Sequence, residues 1–427
     1  MLDIQLIREN HLEVQAALAK RGVEVDFTAF LARDRERRRL IGESEELRAE
    51  RNRTSAEIPR RKRAGEDAGE LLERMRHVAD RIRELEAKLA VLEGEQQAFL
   101  DELPNLPAAD VPAGGKEANE VVSVWGSRPD FNFEPLDHIA LAESLHLVDY
   151  VRGAKLAGAG NWVYTGLGAR LEWALLNYFM DRHLKDGYHM LLLPHLLVEE
   201  CGYTAGQFPK FHDDVFRIDE GEEGGRGRFL LPTAETALVN LHRDEILEEA
   251  ELPLRYFAYT PCYRKEAGSY RADERGMIRG HQFNKVEMFQ YTTPEGSPAA
   301  YRELVRKAAA LVEGLGLHHR VSRLAAGDVS ASMAETMDIE VWLPSMNDYK
   351  EVSSASNARE YQARRGRIRY RAASDGKPRF VHTLNASGLA TSRILPAILE
   401  QFQTRDGRVA VPEVLYPWMG DVRWLEP

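Results

Sequence analysis

Between residues 71 and 99 apolar side chains return every third or fourth position. Leu71, Met75, Val78, Ile82, Leu85, Leu89, Leu92 and Phe99 keep heptad spacing, with polar Gln96 in the slot between Leu92 and Phe99. Charged residues fill the other positions, which predicts one strand of a coiled coil. A helix over about 69–102 would be roughly 50 Å long at about 1.5 Å per residue. Its partner is expected upstream, over about 27–57, on a weaker seam. There Phe30, Leu40, Leu47 and Ile58 are apolar, but Arg37 and Arg51 interrupt. Pro59 and the region of Gly65 are expected to break the helix. The simplest reading is an antiparallel hairpin with its tip near residues 55–68, standing out from a larger body.

The pattern changes after the stretch PNLPAADVPAGGKEA at 104–118, whose Pro and Gly content reads as a linker. Beyond it short β-like runs alternate with helical ones. FLLPTAETALVNLHRDEI predicts a strand entering a helix. LRYFAYTPCYRKEA and GHQFNKVEMFQYT predict two strands in succession, and MDIEVWLPS and FVHTLN two more. LATSRILPAILEQFQ predicts a closing amphipathic helix. Strands in direct succession favour an antiparallel sheet with helices packed on it, an α+β arrangement. EGEEGGRGR at 220–228 reads as a surface loop.

Composition narrows the function. The 427 residues are 44% hydrophobic, enough for a large core, and carry 57 basic against 68 acidic side chains, a net charge of −11. Such a chain does not coat nucleic acid indiscriminately, so any such contact needs a local basic patch. Residues 48–63 supply one, with seven basic and two acidic side chains ending in PRRKR. A solvated helix turn with salt-bridge partners has the same look. Two cysteines, Cys201 and Cys262, exclude a disulfide framework and a four-cysteine zinc site; both are expected to be buried. The first ten residues lack the pattern of a secretory signal, and Met190–Val198 is too short to span a bilayer, so a soluble, cytoplasmic protein is expected.

No GxGxxG, GxxxxGK[ST] or HExxH is present. The adjacent His318 and His319 are expected at the surface. Arg264, Lys265 and Glu266 follow the strand ending at Tyr263. After a loop with Arg271, Arg275 and Arg279, the chain returns with Phe283 and Glu287. An arginine on a phosphate and a ring on a base would grip a nucleotide there, but a surface hairpin with scattered ion pairs looks similar. Glu351, Ser353 and Ser354 in KEVSSASN suit a hard cation between phosphates, and equally a serine-rich turn. Arg393 opens the last helix, either against a second phosphate or as an ordinary first turn.

The stretches LPTAETALVN, CYRKEAGSYRADERGMIRGHQFNKVEMF, ETMDIEVWLPSMNDYKEVSSASNAREYQARR and HTLNASGLATSRILPAILEQFQ, in this order, resemble the bacterial-type seryl-tRNA synthetases, which are class II aminoacyl-tRNA synthetases. The resemblance runs along the whole chain. It implies a class II antiparallel sheet flanked by helices over 119–427, the linker 104–118, and a tRNA-binding domain over 1–103 with a coiled-coil arm at about 27–102. It implies a serine–tRNA ligase: serine and ATP give seryl-adenylate and pyrophosphate, and the seryl group passes to the 3′ end of tRNA(Ser), and of tRNA(Sec) as well. Mg2+ would accompany ATP, with no zinc and no membrane partner. A homodimer is implied through the motif 1 equivalent GYHMLLLPHLLVEE and its Pro194.

Residue by residue, Arg264 resembles the arginine on the α-phosphate, and Arg393 the arginine on the γ-phosphate side. Glu266 would accept from the adenine amino group or adjust to ATP binding, Lys265 stands with it among the ATP contacts, and Phe283 would stack on adenine. Glu351 and Ser354 resemble the magnesium ligands, with Val352 and Ser353 between them in the ATP-binding run. Thr233, Ala234 and Glu235 resemble the loop that closes on serine. Glu287 would bind its ammonium or hydroxyl, and Asn385 and Ser387 would complete the pocket. Arg51, Arg53, Arg60, Arg61, Lys62 and Arg63 would meet tRNA at the arm tip.

The chain departs from the family pattern at Arg271 and Ala272, at Gly280 in place of a larger apolar residue, at Ala386 in NASG, and in AGQFPKF. These departures leave room for a specialised, inhibitor-tolerant copy. A non-catalytic RNA-binding paralogue would be expected to lack Arg264, Glu351 or Arg393, and all three are present. A ligase charging a carrier protein would lack the arm.

Overall fold

The computed structural model describes residues 1–219, 227–265 and 276–426. The chain forms two compact units. One comprises Leu2–Leu18 and Val23–Leu103; the other comprises Met1, Ala19–Gly22 and Pro104–Pro427.

The first unit is helical. α1 spans Ile4–Ala19, α2 Thr28–Ala64 and α3 Gly69–Glu102. Every position of the predicted α3 seam is buried or half-buried, Gln96 included, because heptad spacing keeps one stripe against α2. The α2 seam differs from the expectation. Arg51 is exposed, and buried Ser44 and Thr54 supply small polar positions instead. Asp34 is fully buried and meets Gln96, whose Nε2 donates to Oδ1 at 3.1 Å. Arg8 of α1 grips the same carboxylate through two bonds of 2.7 Å. That grip, with help from Gln96 and Arg38, holds the Asp34 carboxyl down to about 2. Phe27, Phe30 and Phe99 close the base of the hairpin, with Phe30 and Phe99 stacked at 5.0 Å.

Pro59 does not break α2. It sits exposed inside the helix, where a missing N–H costs one bond that water replaces, while half-buried Ile58 and Arg61 continue the seam. The helix stops at Gly65, whose left-handed conformation (φ 74°) lets its N–H reach the Arg61 and Lys62 carbonyls.

The second unit is built on an eight-stranded sheet. Its strands are β1 Glu120–Trp125, β2 His189–Leu191, β3 Leu254–Tyr263, β4 Gln282–Thr292, β5 His319–Arg323, β6 Glu335–Leu343, β7 Asp348–Arg359 and β8 His382–Ala390. Their spatial order is β1-β5-β6-β7-β8-β4-β3-β2, antiparallel throughout except for β2 beside β3. Helices α4 Gly166–Lys185, α6 Ser297–Gly314 and α7 Thr391–Gln401 contribute to the main apolar core, with Leu171, Phe179, Leu304, Ile394 and Leu395 packed among Val286, Met288, Ile339 and Leu384 of the strands.

Several local expectations change. KEVSSASN is not a turn; it lies inside β7, paired along β6 and, over its last three residues, with β8 as well. FLLPTAETALVN gives a three-residue strand, Arg228–Leu230, and the one-turn helix α5, Glu235–Leu238, rather than a long helix. β8 runs on through NASGLA, so the last helix begins only at Thr391, and it is buried almost all round. His318 and His319 are buried rather than at the surface. His318 bridges the Trp125 carbonyl and the Tyr349 hydroxyl, both at 2.8 Å, and the His319 ring stacks on Trp125. Their position, entering an interior strand between β1 and β6, leaves them no access to water. Cys201 and Cys262 are buried, as expected. The linker stretch is pinned down: Asn105 Nδ2 donates to the Ser332 and Ala358 carbonyls at 3.0 and 2.8 Å.

Candidate active site

Strand β4 carries the site. Side chains two residues apart share a face, so Phe283, Lys285 and Glu287 line up along one side. Asn284, Val286 and Met288 point to the other, where the latter two join the core. The Lys285 ammonium lies 2.6 Å from Glu287 Oε2 and donates to Thr233 Oγ1 at 2.6 Å. From neighbouring β8, Asn385 Nδ2 donates to Glu287 Oε1 at 3.2 Å. Asn385 Oδ1 is buried without a hydrogen-bond partner among the described residues.

Thr233, Ala234 and Glu235 enter α5 beside this row. Gln362 Nε2 donates to Glu235 Oε1 at 2.8 Å. Burial, and then the nearby Glu287, push the Glu235 carboxyl up to about 7.

At the other end a cleft is lined by Arg264, Arg279, Gly280, Phe283, Lys285, Glu351, Val352, Ser387, Ser392 and Arg393. The Arg264 guanidinium carbon stands 5.2 Å from the Phe283 ring centre, and its Nε donates to the Pro232 carbonyl. Arg393 donates to the Glu351 carbonyl at 2.7 Å and lies 3.5 Å from its carboxylate.

Glu351 and Ser354 are three residues apart, a spacing that puts side chains on opposite faces of a regular strand. The β6–β7 register slips by one between Ile339 and Glu340, and this bulge returns both to one side. They line a second cavity with Asp338, Glu340, Arg279 and Arg393. Ser354 Oγ donates to Asp338 at 2.7 Å. Burial, reinforced by Glu351, raises the Asp338 carboxyl well above its usual range. Ser353 turns its side chain the other way: it is fully buried and donates to the Ser387 carbonyl at 2.6 Å.

Lys265 is exposed, with its backbone N–H on the Asp214 carbonyl. Glu266, Arg271, Ala272 and Arg275 lie outside the described residues, as does most of the 220–228 loop. On the arm, Arg51, Arg53, Arg60, Lys62 and Arg63 are exposed, and Arg61 pairs with Glu57 at 2.8 Å.

Sequence reasoning missed Lys285, Asp338 and Gln362, and named Arg279 in its loop without giving it a role. Lys285 was within reach, since Phe283 and Glu287 on one strand face imply that 285 shares it. Two departures also find their reason. A Cβ on Gly280 would stand 2.3 Å from the Trp162 ring, so the indole occupies the space a side chain would take. Ala386 is fully buried opposite Met288 and Ala355, pointing into the core and away from Asn385 and Ser387.

Residues 1–107 match the seryl-tRNA synthetase N-terminal domain family, and residues 216–402 the class II tRNA synthetase core domain (G, H, P, S and T). The chain is 60% identical to serine–tRNA ligase 2 of Clostridium acetobutylicum, over 98% of this chain and 99% of that one. It is 46% identical to a serine–tRNA ligase of Desulfitobacterium hafniense at the same coverage. Among solved structures, seryl-tRNA synthetase from Pyrococcus horikoshii complexed with ATP superposes with a TM-score of 0.92 at 35% identity, covering 100% of both chains.

Proposed function

The chain belongs to the seryl-tRNA synthetase family, class II ligases that form aminoacyl-tRNA, and we propose that the β4 row holds its two small substrates end to end. The protein is an aminoacyl-tRNA-forming ligase for serine. A serine carboxylate oxygen attacks the α-phosphorus of ATP and pyrophosphate leaves. A terminal ribose hydroxyl of tRNA(Ser) then attacks the acyl carbon and AMP leaves; tRNA(Sec) would serve in the same way.

The carboxylate is already a nucleophile, so the first step needs positioning and charge stabilisation rather than a base. In this reading the adenine lies on Phe283, Arg264 meets the α-phosphate and Arg393 the γ-phosphate side. Glu287 takes the serine ammonium. The unpartnered Asn385 Oδ1 accepts from the ammonium or the hydroxyl, and where it takes the hydroxyl, alanine would leave it unsatisfied. Lys285 offsets the charge of Glu287 beside the incoming carboxylate.

A carboxylate and a hydroxyl on one side of β7 suit a hard cation held mainly through phosphates, so Glu351 and Ser354 would hold Mg2+. The ion would supply charge neutralisation of the triphosphate.

The arm, with its basic tip, would hold tRNA. The apolar segment around exposed Pro194 and Leu192 would pair two copies into a homodimer. No described helix is long and apolar enough to cross a membrane, and a cytoplasmic place is proposed with the tRNA.

The observation that carries the reading is the row Phe283–Lys285–Glu287, with an arginine at the ring end and an open acceptor at the carboxylate end. Amino-acid-dependent ATP–pyrophosphate exchange across twenty amino acids tests it, with tRNA charging in parallel. Exchange is expected with serine alone and lost in Arg264→Ala; near-normal exchange in that variant would remove Arg264 from the phosphate.

A further inference from the structure

Glu172 is a carboxyl in the wrong place for a core. It sits on α4 among Leu171, Leu175, Leu176 and Phe179 and is 3% exposed. Taking a carboxyl out of water is costly unless its oxygens are bonded. Its Oε1 is bonded twice: Thr391 Oγ1 donates at 2.5 Å and Asn284 Nδ2 at 2.8 Å. Asn284 is held in turn, its Oδ1 accepting from the Tyr259 hydroxyl at 3.1 Å.

The two donors come from the two elements that form the nucleotide cleft. Asn284 stands between Phe283 and Lys285, with its side chain on the far face of β4. Thr391 is the first residue of α7, and the next two, Ser392 and Arg393, line the cleft. Backbone pairing between β4 and β8 ends just here, at Lys285 and Ala390, after a register shift. Beyond that pair no ladder ties the ring at 283 to the arginine at 393. The Thr391 hydroxyl does so instead, reaching the Asn284 carbonyl at 3.1 Å and sharing the Glu172 carboxyl oxygen with the Asn284 amide.

We propose that Glu172 is a positioning residue that fixes the adenine strand and the phosphate-binding helix turn relative to one another. It touches neither substrate. It acts by setting the separation between Phe283 and Arg393, and so acts on ATP and not on serine. The inference rests on the placement of ATP in this cleft.

The test is pyrophosphate exchange with KM measured separately for ATP and serine, in Glu172→Ala, Glu172→Gln, Thr391→Val and, as a control of the ATP placement, Phe283→Ala. Glu172→Ala removes the acceptor that Thr391 and Asn284 share and is expected to raise KM for ATP about tenfold or more, with KM for serine within about twofold of the parent. Glu172→Gln keeps an acceptor at Oε1 and is expected to recover most of the loss. Should Glu172→Ala not fold, Thr391→Val removes the hydroxyl that reaches Glu172 and the Asn284 carbonyl but keeps the Asn284 amide on Glu172, and is expected to raise KM for ATP by a smaller factor, about three- to tenfold.

An unchanged KM for ATP in Glu172→Ala, an equal rise in both KM values, or a Glu172→Gln variant as impaired as Glu172→Ala would overturn the proposal. If Phe283→Ala leaves KM for ATP unchanged, the ATP placement itself has failed. If Phe283→Ala raises it and the Glu172 and Thr391 variants do not, the placement stands and Glu172 does not position.

Discussion

At the scale of single residues, Gly280 and Trp162 are the sharpest pair. Gly280→Met would force the indole out of its seat. Overpacking of this kind costs about 1–3 kcal/mol. The expected result is a lower Tm and a raised KM for ATP, with part of both recovered when Trp162→Ala is added; additive losses in the double variant would refute the coupling. The carboxyls give a second prediction. Burial pushes Glu172 up to about 7, against an ordinary value of 4.5. The folded state therefore holds a proton that the unfolded state has released between these values, and stability falls as pH rises through that window. Glu235 shifts the same way. Glu172→Gln does not titrate, so its Tm relative to the parent should climb from pH 5 to pH 8; a constant difference would contradict the shift. How legible all this was depends on distance along the chain. Phe283 and Glu287 could be placed from one strand's period of two, and that period also implies Lys285. Trp162 and Gly280 are joined only by the fold, and so are Glu172 and Thr391. Nothing in a single sequence marks such a meeting.

At the scale of elements, the coiled coil was the most legible part because one long stripe repeats one rule. Its weaker half was misjudged where polar residues are buried. Asp34 is a core residue only because Arg8 and Gln96 arrive to meet it. Strands β3, β4, β6 and the start of β8 were found, but β7 was read as a turn and β8 was cut short, since both are largely buried and lose the polar alternation that would mark them. The bulge at β7 left no trace in composition, and it decides that Ser354, not Ser353, faces the second cavity beside Glu351. For the arm the expectation is clear. Removing 33–98 and closing the gap with a short Gly-rich link keeps the Phe27, Phe30 and Phe99 base. Serine-dependent exchange should persist while tRNA charging is lost; charging retained at ordinary tRNA concentrations would show that the arm is not the tRNA contact. In the intact chain, tRNA binding should weaken steeply with salt as tip arginines release counterions.

At the scale of the molecule, the edge strand β2 runs into Leu192, which is 80% exposed, followed by exposed Pro194 and Leu196. An apolar edge of this kind is a hazard in a monomer and natural in a symmetric pair. Light scattering on the purified chain should give the mass of a dimer, and Leu192→Glu should shift it toward 48.4 kDa; an unshifted dimer would place the interface elsewhere. The β4 row has a consequence of its own. Rungs on one side of a strand repeat about every 6.6–6.8 Å, so Phe283 and Glu287 are separated by roughly 13 Å of backbone. The strand is thus a ruler as well as a wall. An adenylate that seats its ring on one rung must bring its ammonium to the other, and a longer or shorter link between base and amine misses a mark. Selection by length works before any side-chain chemistry is consulted, and it would apply to a mimic of the adenylate as strictly as to the adenylate itself.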